Sequence, residues 1–179
     1  MKQGMAQQGI TSLVIPVYEA GSRIQVFRTK YLHTPGVTMP PHVTVHVPFK
    51  HILEVDEGVL SDLGELFASH VKFRFVLRKT GRFPSIGVLY LEPEPAAPFH
   101  NLSQAIRLRY PDAVPDFADP VMHLTLARCR SQELDKVEEA FYQVCGDVLP
   151  IETTATEVCL FEKCDNRWHK RALFALSEG

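Results

Sequence analysis

The chain has 179 residues, of which 45% are apolar and 22% charged, the profile of a soluble globular protein built as one large domain or two small lobes. Its net charge of −2 and pI near 6.4 lack the basic excess with which proteins grip long nucleic acid. Long nucleic acid is therefore not expected as a partner, whereas a short or small phosphorylated ligand is compatible.

The four cysteines, Cys129, Cys145, Cys159 and Cys164, form no C-x-x-C pair and have no zinc-type spacing. No apolar run approaches a membrane span, and no apolar leader follows Met1. These features predict a cytoplasmic protein with reduced thiols and no membrane partner. Residues 1–11 are polar and Gln-rich, and are expected to form a disordered N-terminal segment ahead of a single domain over 12–179.

Ser12–Val17 is an apolar run suited to a buried strand. Ile24, Phe27 and Tyr31 have helical spacing within Ser22–His33, and Thr34–Pro41, with three prolines and a glycine, reads as a loop. A strand follows over His42–Val47. Asp56 can cap a helix with the stripe Val59, Leu60, Leu63, Leu66 and Phe67, reaching about His70. Lys72–Lys79 alternates Phe73, Phe75 and Leu77 with Lys72, Arg74 and Arg78, and forms a hairpin with Ile86–Leu91.

The three prolines of Glu92–Pro98 predict a linker between lobes of about 12–95 and 96–179. Phe99, Leu102 and Ile106 mark the next helix, and a strand runs over Val121–Arg128. Ser131 can cap a helix carrying Leu134, Val137, Phe141 and Val144, ended by Gly146. Ile151–Glu162 and His169–Leu176 close the chain as a second hairpin, turning at Asp165-Asn166.

Two of these strands open alike: Pro41-His42-Val43-Thr44-Val45 and Met122-His123-Leu124-Thr125-Leu126. Alternation places His42 and Thr44 on one strand face, and likewise His123 and Thr125, with the aliphatic residues on the other. Each motif strand is followed by helix, strand, strand. This internal duplication predicts two βαββ-type lobes, related by an approximate two-fold, that set the motifs facing each other across a cleft. An imidazole near its neutral point can take a proton while a second gives one. A hydroxyl beside each can donate to a non-bridging phosphate oxygen. That pairing suits in-line displacement at a phosphodiester, with no metal or cofactor required.

The two motifs, with Pro48-Phe49 after the first and Ala127-Arg128 after the second, resemble the 2H phosphoesterase superfamily, the group of the LigT-like 2′-5′ RNA ligases and cyclic phosphodiesterases, in their bacterial form. The resemblance spans about Ser12–Leu176. It implies a bilobal, pseudo-symmetric α+β fold with antiparallel sheets around a central cleft. It also implies His42 and His123 as the acid–base pair, Thr44 and Thr125 as phosphate-binding residues, and Arg128 as a further phosphate contact. Strict alternation points Arg128 away from His123, so a bulge or the strand end must turn it. The implied activity is hydrolysis of a 2′,3′-cyclic phosphate to a 2′-phosphate on a nucleotide or RNA end, a role in RNA processing, by a monomer. The readings beside it are 2′-5′ ligation, hydrolysis of ADP-ribose cyclic phosphate, and binding of a phosphate end without turnover.

Other residues admit two readings. His46, at i+4 from His42, would share its face and could complete a three-histidine metal site with His123, though no acidic residue is placed to support it. Phe49 and Phe161 could stack on a base or belong to the core. Trp168, Arg167 and Arg171 could line the cleft rim or be a packed ring with solvated arginines. Lys72, Arg74 and Arg78 could hold an RNA backbone or form a solvated strand face.

Overall fold

The computed structural model describes residues 8–32, 39–117 and 119–179. In chain order the elements are β1 (Thr11–Pro16), α1 (Gly21–Tyr31), β2 (His42–His46), α2 (Glu57–Ala68), β3 (Phe73–Phe83), β4 (Val88–Glu94), α3 (Ala97–Arg109), β5 (Leu124–Arg128), α4 (Leu134–Cys145), β6 (Ile151–Ala155), β7 (Glu157–Cys164) and β8 (Arg167–Ala175). The strands form two antiparallel sheets, ordered β2-β1-β7-β8 and β5-β4-β3-β6, giving an α+β fold. His33 and the loop residues 34–38, like residues 1–7, lie outside the described part. Gly9 already donates its N–H to the Lys163 carbonyl at 2.8 Å.

Aligning the two sheet orders pairs β2 with β5, β1 with β4, β7 with β3 and β8 with β6. The motif strands occupy equivalent edges and lie against one another where the sheets meet. Helix, strand, strand does follow each motif strand, but each sheet draws on both halves of the chain: β3 lies beside β4, and β7 returns beside β1. The helices cross too. α1 packs on β5 and α3 on β2, so each motif strand is backed by the helix from the other half. One contiguous core results, with Leu13, Ile15, Val43 and Val45 from the first sheet and Leu89, Leu91, Leu124 and Leu126 from the second.

Local chemistry accounts for most element ends. The Asp56 side chain accepts from the Val59 N–H at 2.9 Å and caps α2. Asp165 and Asn166 take φ of 49° and 58°, the left-handed conformations that turn the β7–β8 hairpin. Ser131 does not cap α4: its hydroxyl donates to the Pro84 carbonyl at 2.5 Å, and a single 3₁₀ turn precedes the helix.

Ile151–Glu162 is two strands rather than one. β6 alternates buried and exposed residues as a sheet edge does, whereas Val158 to Glu162 of β7 are all buried because that strand is central. The proline-bearing segment 92–98 is largely structured, since β4 runs to Glu94 and α3 begins at Ala97. Pro93, which has no N–H to donate, pairs at the register shift between Leu77 and Lys79, where the ladder is already interrupted.

Gly87 seats the end of β5 against the β3–β4 turn. It sits at φ 62° and ψ 41°, and its carbonyl accepts from the Cys129 N–H at 2.9 Å. A Cβ there would fall 1.8 Å from the Cys129 carbonyl oxygen, a backbone atom that cannot swing aside. Gly87→Ala is expected to destabilise the protein by about 2 kcal/mol or more, the sum of left-handed strain and displacement of β5. Urea unfolding checks this, and an unchanged midpoint would refute it.

Candidate active site

The geometry of each motif strand departs from simple alternation at one place. Along β1–β2 the pairing steps from Val14↔Thr44 to Leu13↔His46, leaving Val45 as an extra residue. Along β4–β5 it steps from Tyr90↔Thr125 to Leu89↔Ala127, leaving Leu126 extra. A bulge therefore follows each motif threonine by one residue, and beyond it the strand faces exchange. His42 and Thr44 stay on the cleft face with Val43 and Val45 in the core; His123 and Thr125 stay there with Leu124 and Leu126 in the core.

The bulge overturns the expectation for His46. It is 2% exposed on the core side, where its Nε2–H donates to the Ala113 carbonyl at 2.9 Å and its ring meets Phe49 edge-on. It is therefore not a third histidine of the cleft. The same exchange returns Arg128 to the His123 face.

Each motif imidazole is held in the same way. His42 Nδ1–H donates to the Pro40 carbonyl at 2.7 Å, and His123 Nδ1–H donates to the Val121 carbonyl at 2.6 Å. A carbonyl oxygen can only accept, so the hydrogen sits on Nδ1 and Nε2 is the atom left for chemistry. Both rings are half-buried. Burial, then the charge of Arg28, then His123 itself, oppose protonation of His42 and outweigh the Pro40 bond, taking its pKa down to about 4. His123 is also lowered, first by burial and then by Arg128, against the Val121 bond.

Beneath His123 lies an aromatic bed. The Phe83 ring meets it edge-on with centroids 5.1 Å apart, and the Tyr90 ring lies 5.2 Å away. Tyr90 can lie there because Gly81, its partner in β3, has no side chain; a Cβ would come within 2.3 Å of the ring.

Arg28 was not legible as a site residue. It is 2% exposed, carried by α1 beside Ile24 and Phe27, and no carboxylate pairs with it among the described residues. Its Nε–H donates to the Thr125 carbonyl at 2.9 Å and its Nη1 to Gln25 Oε1 at 2.9 Å. One guanidinium thus ties the second motif strand to α1 while repelling a proton on His42. Burial without an acid lowers its own pKa to about 10. The sequence signal was an arginine on the apolar stripe Ile24–Phe27–Tyr31, where a solvated charge has no place.

A model of the 2′-5′ RNA ligase superfamily matches residues 16–167. The chain belongs to the 2′-5′ RNA ligase superfamily. Its fold is that of solved members of the LigT type. Escherichia coli LigT complexed with NADP+ aligns at TM-score 0.61 and 18% identity, over 96% of this chain and 99% of that one. The same protein complexed with 3′-AMP aligns at 0.61 and 17%, over 94% and 98%. TT0787 of Thermus thermophilus aligns at 0.59 and 20%, over 95% and 98%. No curated protein sequence matches. At these identities the structural likeness establishes the fold, and the superfamily member's own residues must carry the chemistry.

The remaining candidates separate cleanly. Phe49 is core, edge-on to Tyr110 with centroids 5.0 Å apart. Arg171 pairs with the buried Glu162. Lys72 pairs with Glu178, and Arg78 with Glu94 at 3.3 Å, so that strand face is a salt-bridged surface. Phe161 is buried, yet on the cleft side of the first sheet with Val14, Met39 and Cys159, and the half-buried Trp168 packs on that cluster. No helix among the described residues is long and apolar enough to cross a membrane.

Because the folded pKa of His42 lies below its unfolded value of about 6.5, the unfolded chain binds the proton more tightly. The stability tied to this group is intact above pH 6.5 and is lost as pH falls toward 4. In an NMR titration the His42 ring signals are expected to stay in the neutral position until about pH 4. In Arg28→Met the transition should move upward, because one of the opposing charges is gone. An unchanged His42 titration in that variant would refute the coupling.

Proposed function

We propose that this superfamily member is a metal-independent phosphoesterase that hydrolyses a 2′,3′-cyclic phosphate, or a related 2′-5′ phosphodiester, at a nucleotide or a short RNA end. The observation that carries this reading is the matched pair of imidazoles. Two strands related by the pseudo-two-fold each offer an Nε2 to one cleft, and each pins its Nδ1 to the carbonyl two residues back. A displacement at phosphorus needs a proton removed from the attacking oxygen and one delivered to the departing oxygen on the opposite side.

One Nε2 takes the proton of the attacking water as its oxygen bonds to phosphorus. The other Nε2–H gives its proton to the departing ribose oxygen, leaving a 2′-phosphate and a free hydroxyl. Thr44 and Thr125 donate hydroxyl hydrogens to the non-bridging oxygens as charge gathers there, with Arg128 on the His123 side. Arg28 acts through its neighbours: it holds the Thr125 backbone and adds to burial in lowering the proton affinity of His42. The ligand class is consistent with the nucleotides NADP+ and 3′-AMP in the LigT complexes. With a 5′-hydroxyl in place of water as the attacking oxygen, the same proton transfers open the cyclic phosphate into a 2′-5′ linkage, so ligation needs no other machinery.

Substitution of either histidine by alanine is expected to lower kcat for nucleoside 2′,3′-cyclic phosphates by about 10²–10⁴-fold. Thr44→Ala and Thr125→Ala should each cost about 10²-fold, and excess EDTA should cost nothing. Turnover that survives the double His42/His123 substitution would sink the mechanism.

The pH profile is a separate test. With both imidazoles lowered in the free protein, the bell in kcat/KM should peak below pH 6.5, with its acid limb near 4. Arg28→Met should shift that limb upward. A peak at alkaline pH would contradict the assignment of the limbs to these two groups.

A further inference from the structure

A cavity of about 490 Å³ opens beside the first motif. Pro40 and Pro41 form one wall, and Pro40 supplies the carbonyl that holds His42. Phe161 forms part of its lining on the sheet, Trp168 and Lys170 enter from β8, and Gln25 enters from α1. The volume lies in the range of about 300–1,000 Å³ typical of small-molecule sites. Its lining is mixed in a specific way. Trp168 brings a large ring that packs on the cluster of Val14, Met39, Cys159 and Phe161. Gln25 has its Oε1 engaged by Arg28, so what it offers a ligand is amide N–H. Lys170, exposed, offers further donors and a positive charge.

The two-fold makes this cavity more telling. Reading across the first sheet from Thr44, the row is Val14 then Cys159. Across the second sheet from Thr125, the equivalent row is Tyr90 then Gly81. Phe161, opposite Ser12, corresponds to Phe83, opposite Val88. On the second sheet the Tyr90 ring lies over Gly81, stacked on Phe83 with centroids 4.4 Å apart, and fills the space. On the first sheet the row carries the smaller Val14 and Cys159, Met39 packs on them with Phe161, and the cavity opens beside that cluster.

We propose that the cavity bounded by Pro40, Gln25, Phe161, Trp168 and Lys170 is the subsite for the base of the nucleotide whose phosphate lies between His42 and His123. This inference rests on the phosphoesterase reading for the phosphate but concerns different residues. The base lies against Trp168, and its carbonyl or ring-nitrogen acceptors take hydrogen bonds from Gln25 and Lys170. Donors from Gln25 and Lys170 suit a heterocycle that carries acceptors, and stacking on an indole is tolerant of which base is present.

Trp168 is the chain's single tryptophan, so its fluorescence reports this subsite alone. Titration of the full-length protein with adenosine 2′-monophosphate is expected to quench it saturably, whereas inorganic phosphate should not. In kinetics, wild type should prefer adenosine 2′,3′-cyclic phosphate over the base-free methyl riboside 2′,3′-cyclic phosphate through KM. The preference should be about 5- to 100-fold, the scale of one base–aromatic stack. Trp168→Ala should abolish that preference, and Trp168→Phe, which keeps a ring, should retain most of it.

Quenching without turnover of either ester would support the subsite while overturning the phosphoesterase reading. Turnover with no quenching, or a Trp168→Ala variant that keeps the full preference, would overturn the subsite and leave the reading intact.

Discussion

The bulge that follows each motif threonine is the constraint on which the site depends. Unbroken register would carry His46 onto the cleft face and Arg128 into the core. The extra residues Val45 and Leu126 prevent both. They also put two consecutive residues of each strand, Val45-His46 and Leu126-Ala127, into the core without losing the two cleft residues before them. The device appears at the same place in both halves although the sequences around it differ. What the duplication has preserved is therefore backbone register, with the histidine and threonine as its visible trace.

Matched strands alone would give a chemically symmetric cleft, in which neither imidazole is preferred for either proton transfer. Two arginines break the symmetry, and they do so from different depths. Arg128 reaches the His123 face from the strand itself and is exposed, so solvent screens it. Arg28 comes from the helix of the opposite connection and is buried, so its field on His42 is screened far less. The corresponding helix, α3, places a buried serine, Ser103, after Phe99 and Leu102, where α1 has Arg28 after Ile24 and Phe27. The polarity of the site thus arises from a helix position that differs between the halves.

Much of this was legible in the residues because it rests on short-range rules. Periodicity located the helices, Asp56 declared a cap, and the repeated His-x-Thr declared which faces meet. What was not legible depends on long-range pairing. A bulge is a property of two strands, and nothing in His42–His46 alone announces that Val45 is the extra residue. The break at Thr156 divides a run that reads as one strand, because its halves pair with β3 and β1, partners far apart in sequence. Arg28 stands out on the apolar stripe of α1, but its link to the second motif needs the packing of α1 on β5. Ser131 reads as a cap because only the folded β3–β4 turn presents the Pro84 carbonyl that draws its hydroxyl away.

The filled and open halves of the cleft bear on how a substrate would be oriented. Tyr90 and Phe83 pack against His123 on the second sheet, whereas the proposed base subsite lies over the first sheet, on the side of His42. With the base seated as proposed, the attacking oxygen would arrive on the side of His123 and the departing ribose oxygen would lie nearer His42. The low proton affinity of His42 in the free protein is compatible with giving that oxygen a proton, because it reflects burial and Arg28 acting with no anion present. A phosphate between the imidazoles adds the missing negative charge and raises the affinity of both rings. On the proposed reading, substrate binding and proton uptake would be one linked event, with burial first and Arg28 second opposing that uptake until the phosphate arrives.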